Sequence, residues 1–474
     1  MITTLLLWPR RCSLALCLLL LSAPALATSP VYQVLASPEG EAQEHTDLMD
    51  RLALLHGLAT IAATQRDSEM GHKQYSEALA GEPMARRAGL WLELVQDVLQ
   101  GERRDGSLDR GNDQPAGLAH WSLAAFTYQM HHRGGRFARH DLQQAINFQP
   151  LALVIMPSRQ VLDRYYQDGV FTRTPGSSDW DRHSLSHGLG ALQAHAYAWV
   201  RWYKPDGKGD MGTIPEERLS AYLGYDRQAL TGIARDLAET LDEAWSSTAG
   251  GYDFGDGTGT SLVELGALLR GHKVLYELLS LFGDQEADEQ RAQQLFDRVA
   301  QQIEAVAALA GPSGLPARVR FAEGLAQGDA EEVSQQQQWR FVMEVAAGFA
   351  FSREREGTTD YLESRRPEAV AALGELVDSL LKSTERYGFQ DDRLVRGLSW
   401  SADPDAEVKV TDARESTAAI GVYLTAAANA YRIGGAFKRA GDWDEAEQDQ
   451  VERSRTLYGR FEQQVERLEK ALQQ

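Results

Sequence analysis

Residues 244–284 read AWSSTAGGYDFGDGTGTSLVELGALLRGHKVLYELLSLFGD. The stretch leaves one helix at Ala244 and Trp245, crosses a glycine-rich polar loop, and enters a segment whose leucines recur at three-four spacing, the mark of a packed helix. Ser261 followed by Glu264 is an S-x-x-E capping pattern. The serine accepts from the helix start, and the glutamate reaches back to the cap.

The same unit recurs outward in both directions. A glycine beside or one position from an apolar residue stands at Gly106-Ser-Leu, Gly169-Val-Phe, Gly251-Tyr, Gly314-Leu and Gly388-Phe, at intervals of 63, 82, 63 and 74 residues. Each is followed by a polar loop and a helix start. Asp329 with Glu332 and Asp412 with Glu415 repeat the capping box, and Ser178 with Asp181 is a weaker version. Each interval holds two helices of ~20 residues with their connections, so the unit is a helical hairpin.

Three-four spacing marks helices at 46–63, 84–100, 118–132, 182–202, 226–245, 261–282, 292–309, 330–351, 366–384 and 413–433, with a charged final helix from about Trp443. Alternating strand patterns are nearly absent. Adding a pair before Gly106 gives six hairpins and about twelve long helices. The expected class is all-α, a closed (α/α)6 toroid over 28–474 ending in an amphipathic helix. In this architecture the chain resembles the six-hairpin glycosidase-like superfamily, through residues 244–284 and their recurrences over most of the mature chain. The resemblance implies an inner ring of first helices, an outer ring of second helices, and long loops gathered on one face. An open helical solenoid competes with it. RAGDWDEAEQ (439–448) reads like a turn of a tetratricopeptide repeat, without a 34-residue period to accompany it. Val451, Tyr458, Phe461, Val465, Leu468 and Leu472 form a seam on the final helix, for its own body or for another chain.

The N-terminal residues set the expected compartment. Arg10 and Arg11 precede an apolar run ending in Ala25-Leu26-Ala27, the form a signal peptidase cuts, so 1–27 is expected to be a signal peptide and the protein periplasmic or secreted. No later run of ~18 apolar residues suggests a membrane span. Both cysteines, Cys12 and Cys17, lie in the removed peptide. That excludes disulfides, zinc-thiolate sites and a cysteine nucleophile from the mature chain. With 48 basic against 68 acidic residues the formal charge is −20. Such a charge disfavours nucleic acid and polyanionic glycans, and the expected partner is an oligosaccharide or other small neutral or cationic ligand.

On the toroid, SSDWDRHSLSHGLGALQAHAYAWVRWY (177–203) places Asp179, Trp180 and Asp181 before an inner helix whose first turns carry His183 and His187. Two histidines four apart suit a metal, with Asp179 or Asp181 as third ligand. The H-E-x-x-H glutamate is missing, however, since Ser184 holds its place, and no metal or cofactor is assigned. Asp253–Glu264 echoes a calcium loop but has Thr258 where glycine is needed, and Lys208 spoils 204–217 in the same way. Other loops add Asp105, Asp109, Asp113, Arg318 and Arg320. The longest, running from Tyr387 to Asp412, adds Asp391, Asp392, Arg393, Arg396, Trp400, Asp403 and Asp405.

Glycoside hydrolysis requires one carboxyl group to protonate the leaving oxygen and another to act as base or nucleophile. Asp181 is assigned the base or nucleophile role and Asp403 or Asp412 the acid. Asp179, Trp180, His183, His187, Arg396 and Trp400 are assigned to substrate. A cap with ordinarily packed histidines is the competing reading of the same cluster. An elimination mechanism would instead use Tyr387, His183 or His187 as base with Arg320 or Arg396 facing a uronate. No G-x-S-x-G elbow, Walker loop or dinucleotide fingerprint occurs. Hydrolysis stands ahead of elimination, and a non-catalytic periplasmic ligand-binding or assembly protein is the alternative from another class.

Overall fold

The computed structural model describes residues 150–202, 215–255, 257–322, 325–328, 332–352 and 366–413, together with scattered helical positions between 445 and 463. The expected signal peptide 1–27, the helices at 46–63, 84–100, 118–132 and 413–433, the acids Asp105, Asp109 and Asp113, the seam residues of the last helix, Lys208 and Glu415 lie outside the described residues.

The described chain starts with α1 (Pro150–Tyr165), β1 (Tyr166–Gln167), β2 (Val170–Phe171), α2 (Arg182–Trp202), α3 (Glu216–Leu223) and α4 (Arg227–Ala244). Next come β3 (Trp245–Ser246), β4 (Gly251–Tyr252), β5 (Thr260–Ser261), α5 (Leu262–Phe282), α6 (Glu286–Ala307), β6 (Arg318–Ala322), β7 (Leu325–Gly328), β8 (Glu332–Ser334) and α7 (Gln335–Ser352). It ends with α8 (Pro367–Tyr387), β9 (Phe389–Gln390), β10 (Arg393–Leu394), β11 (Gly397–Ser399) and β12 (Val410–Asp412).

This corrects the expected fold class and the resemblance drawn from it. The described residues form eight helices with five small antiparallel sheets, a mixed α and β arrangement in place of an all-α toroid of twelve helices. The loops between helices are themselves built from strands. β1–β2 and β9–β10 are two-residue hairpins whose turns place Asp168 and Gly169, and Asp391 and Asp392, at positive φ, the type I′ geometry that matches strand twist. β3–β4 closes over a four-residue loop ending in Gly250. β5–β6–β7 and β8–β11–β12 are three-stranded. β6 alternates, with Val319 and Phe321 inside and Arg320 outside, over only five residues. The expected helix at 330–351 begins instead at Gln335, because Glu332–Ser334 pair with β11.

α5 is the centre. Its capping box forms as the sequence suggests, with Ser261 Oγ accepting from the Glu264 amide at 3.3 Å and Glu264 Oε2 accepting from the Ser261 amide at 2.9 Å. Leu265, Leu268, Leu275 and Leu278 are fully buried, each contributing roughly 1.5–3 kcal/mol of transfer free energy. α2 and α7 flank α5 in parallel. His183 meets Glu264 near the start, Gly190 faces Arg270 midway, and the Trp199 ring lies 6.5 Å from Phe282 at the end. On the other side Phe341 backs Gly266 and Glu344 meets Arg270. A Cβ at Gly271 would stand 2.6 Å from Leu189 Cβ, so the α2–α5 contact depends on the missing side chain.

α1 packs on α2, α4 and α6 on α5, and α8 on α6 and α7. Trp339 Nε1 of α7 donates to Thr384 Oγ1 of α8 at 3.0 Å. Because α1, α4 and α8 each run into a hairpin, and α6 into the Gly311–Gly314 turn, the chain reverses at one end of this layer. The starts of α2, α5 and α7 emerge together there. Among the described residues no helix is long and apolar enough to cross a membrane.

Candidate functional site

The common helix-start end carries the residues singled out in the sequence. Asp181 caps α2: its Oδ1 accepts from the Ser184 amide at 2.8 Å and from the Ser184 hydroxyl at 2.7 Å, while its Oδ2 lies 3.3 Å from Arg173 Nε. Asp179 reaches the same guanidinium at 3.8 Å. Trp180 bridges Thr172 through its backbone and is itself 38% exposed, one of few large apolar residues so placed among the described residues.

One turn into α2, His183 Nδ1 stands 3.3 Å from Glu264 Oε1, and its ring meets His187 edge to face with centroids 4.5 Å apart. His187 is buried. Burial first, then the neighbouring His183 and Arg340, push its pKa well below 6.5, so it is neutral. Arg182 ties the next loop to this point, donating to the Thr258 carbonyl at 3.2 Å and the Thr258 hydroxyl at 3.0 Å, with Nε 3.4 Å from Glu264 Oε2. Burial raises the Glu264 pKa, but His183, Ser261 and Arg182 together outweigh it and hold the carboxyl at about 2.

Glu264 was legible in the sequence only as a cap. Its position one turn into α5, beside a helix start rich in histidine, makes it the acceptor that orients His183. A second group missed by sequence reading lies beneath. Arg270 Nη1 is 3.0 Å from Glu344 Oε2, and Arg340 Nε donates to Glu344 Oε1 at 2.9 Å, all three side chains being buried. The signal was a charge inside otherwise apolar runs, Arg270 in LGALLRGH and Glu344 in RFVMEVAA.

The long loop contributes differently. Trp400 donates its indole N–H to the Gly314 carbonyl at 3.0 Å and packs on the Val333–Val395–Leu398 cluster. The Arg396 backbone holds Asp412 and Gln335, donating to the first at 2.9 Å and accepting from the second at 3.1 Å, with its side chain exposed. Asp412 closes β12 at this end. Asp403 is exposed and accepts from the Asp405 amide at 3.0 Å within its own turn. The structure therefore gathers Asp179, Trp180, Asp181, His183 and His187 with Glu264, and sets Arg396 and Asp412 beside the start of α7.

In the calcium-like segment, Asp253 accepts from the Gly255 amide at 2.9 Å, and Glu264 is taken by its cap and His183. Among the described residues no three His, Asp or Glu side chains gather as a metal-holding group. Buried histidines elsewhere are tied into the core. His195 Nε2 donates to the Leu223 carbonyl at 3.2 Å with Nδ1 2.6 Å from the Ser158 hydroxyl. His272 Nδ1 donates to the Leu268 carbonyl at 2.5 Å, which leaves Nε2 to accept from the Tyr252 hydroxyl. No protein-family model matches this chain, and no curated protein matches it.

Proposed function

We propose that the helix-start end is a carbohydrate-binding face and that the protein acts there as an exported glycoside hydrolase. The observation that carries the reading is the exposure of Trp180, which follows Asp179, precedes Asp181 and lies three residues before His183 with its partner Glu264. An open indole face stacks on the apolar face of a sugar ring, and flanking carboxylates accept from its hydroxyls. Asp181 is the base or nucleophile in this reading and Asp403 or Asp412 the acid. His183, held through Nδ1 by an ionised carboxylate, positions substrate with Asp179 and Arg396, while the buried His187 acts only by backing the His183 ring. Export through residues 1–27 belongs to the same proposal.

A specific observation favours a second reading. Asp181 already serves as helix cap and ion-pair partner, which is enough to account for an aspartate there without chemistry. On that reading the face binds a ligand and transforms nothing. A thermal-shift screen with neutral and uronic oligosaccharides, followed by product analysis on each hit, separates the two. A neutral glycan that raises the melting temperature and is cleaved supports hydrolysis. Binding without turnover supports the binding protein, an unsaturated product indicates elimination, and a screen with no hit refutes a carbohydrate face.

A further inference from the structure

The cap of α5 uses only one oxygen of Glu264. Oε2 accepts from the Ser261 amide at 2.9 Å and from the Ser261 hydroxyl at 2.8 Å, and lies 3.4 Å from Arg182 Nε. A glutamine fills the same place in a capping box. Oε1 is what the cap leaves unexplained, and it stands 3.3 Å from His183 Nδ1.

An ionised carboxylate only accepts, so this contact places the ring hydrogen of His183 on Nδ1. In the neutral imidazole the lone pair then lies on Nε2. The acceptor itself is fixed, since the Glu264 side chain is 10% exposed and tied to Ser261 and Arg182. The ring is held from a second side by His187, with centroids 4.5 Å apart and 65° between the planes. Yet the His183 side chain is 40% exposed, so a ring anchored from within still meets solvent at the face.

We propose that His183 accepts a proton through Nε2 in the reaction of this face, and that Glu264 is the residue that positions it. The inference rests on the hydrolase reading, in the form where Asp181 is the nucleophile. Asp181 attacks the sugar carbon, the glycosidic electron pair leaves on the exocyclic oxygen, and that oxygen takes the proton of Asp403 or Asp412. A water then attacks the same carbon, its proton passes to Nε2, and the ester pair returns to Asp181. The imidazolium so formed faces the Glu264 carboxylate, which stabilises it. It hands its proton through solvent to Asp403 or Asp412, and the starting state is restored.

Nitrogen NMR of the histidine rings in the full chain reads the tautomer directly, with the His183 signal identified by its loss in His183→Gln. The parent is expected to carry its hydrogen on Nδ1. In Glu264→Gln the single amide oxygen goes to the Ser261 amide, the NH2 group turns to His183, and the ring hydrogen should move to Nε2. Diethyl pyrocarbonate acylates a neutral ring at its lone-pair nitrogen, and peptide mapping should show His183 of that variant modified at least ~10-fold more slowly, the scale of an orienting carboxylate's effect on histidine. Glu264→Gln also weakens the buried contact with Arg182, so Ser261→Ala is the control. It loses the cap hydroxyl and should melt lower, yet keep the parental tautomer and acylation rate. On a glycan that the parent cleaves, His183→Gln should lower kcat by ~100-fold or more with kcat/KM near parental, because only the water step is slowed. A parent with its hydrogen on Nε2, an acylation rate unchanged in Glu264→Gln, or a parental kcat in His183→Gln overturns the inference and leaves the hydrolase reading standing. A screen in which no glycan is cleaved sinks that reading and the proton-accepting role with it, whatever the tautomer.

Discussion

Replacing Glu344 by glutamine tests whether the buried layer beneath the candidate site holds the three central helices together. Glu344 is 0% exposed and serves two cations, Arg270 from α5 and Arg340 from its own helix, themselves 1% and 5% exposed. Burial lowers the Arg270 pKa from its ordinary range and Glu344 opposes that. Glutamine keeps the volume and can still accept one hydrogen bond, but it leaves two guanidinium groups facing each other out of water. Breaking a buried ion pair by removing one partner costs about 3–5 kcal/mol, a large share of the 5–15 kcal/mol that keeps a domain folded. Glu344→Gln is therefore expected to lower the free energy of unfolding in urea by roughly 3 kcal/mol. The companion variant Glu344→Leu/Arg270→Met replaces the α5–α7 pair by apolar groups of similar size but also takes Glu344 from Arg340, so it should recover only part of that loss. A cost below about 1 kcal/mol for Glu344→Gln, or a double variant no more stable than the single one, would refute the reasoning.

Acid should unfold the protein in two ranges with different causes. Burial lowers the pKa values of His195 and His272 from 6.5 to about 4, so both are neutral in the fold. Their contribution is complete above pH 6.5 and falls as pH drops toward 4, by up to about 1.4 kcal/mol per unit per histidine; a urea midpoint flat between pH 7 and 4.5 would contradict this. Glu264, lowered from 4.5 to about 2, contributes fully above 4.5 and loses that contribution as pH falls through 2, which its carboxyl NMR shift should follow. Gly190→Ala places a Cβ against the Arg270 guanidinium and should destabilise by roughly 1–3 kcal/mol, whereas Gly232→Ala, with open space around it, should be neutral or stabilising.

Helices were legible where their apolar stripes were long. The expected spans 182–202 and 261–282 agree with α2 and α5 to within a residue, and the Ser261–Glu264 box is formed. Strands were missed because two to five residues give period-two alternation no room, as in β6. The Asp168-Gly169 hairpin does carry a readable sign, a D-G turn, but a glycine after a helix marks a helix-to-loop boundary equally well. The larger error came from counting. Regular intervals show that a chain alternates between helix and turn, yet they contain nothing about closure, which is set by side-chain contacts between helices. Such contacts show up as Gly190 beneath Arg270 and Gly271 beneath Leu189, residues whose partners lie some 80 positions away.

At the site, the sequence located Asp181 without deciding what it does, and the structure sharpens the question into an experiment. A cap depends on the side-chain oxygen at Oδ1, whereas a general base or nucleophile depends on the negative charge. Asparagine caps about as well as aspartate, so Asp181→Asn should keep the bonds from Ser184 and lose only the exposed contact with Arg173, worth at most ~1 kcal/mol. Asp181→Ala removes the cap as well and should cost ~1 kcal/mol more. If Asp181 transfers a proton or attacks the sugar, the asparagine variant should lose on the order of 100-fold or more in turnover while its melting temperature stays near that of the parent. If the residue only begins α2, the asparagine variant should turn over at the parental rate, and stability should fall chiefly in the alanine variant. Asp412→Asn, on β12 and outside any helix start among the described residues, serves as the second arm. Parental activity in both asparagine variants would remove the proposed carboxylate pair and leave the face as a binding surface.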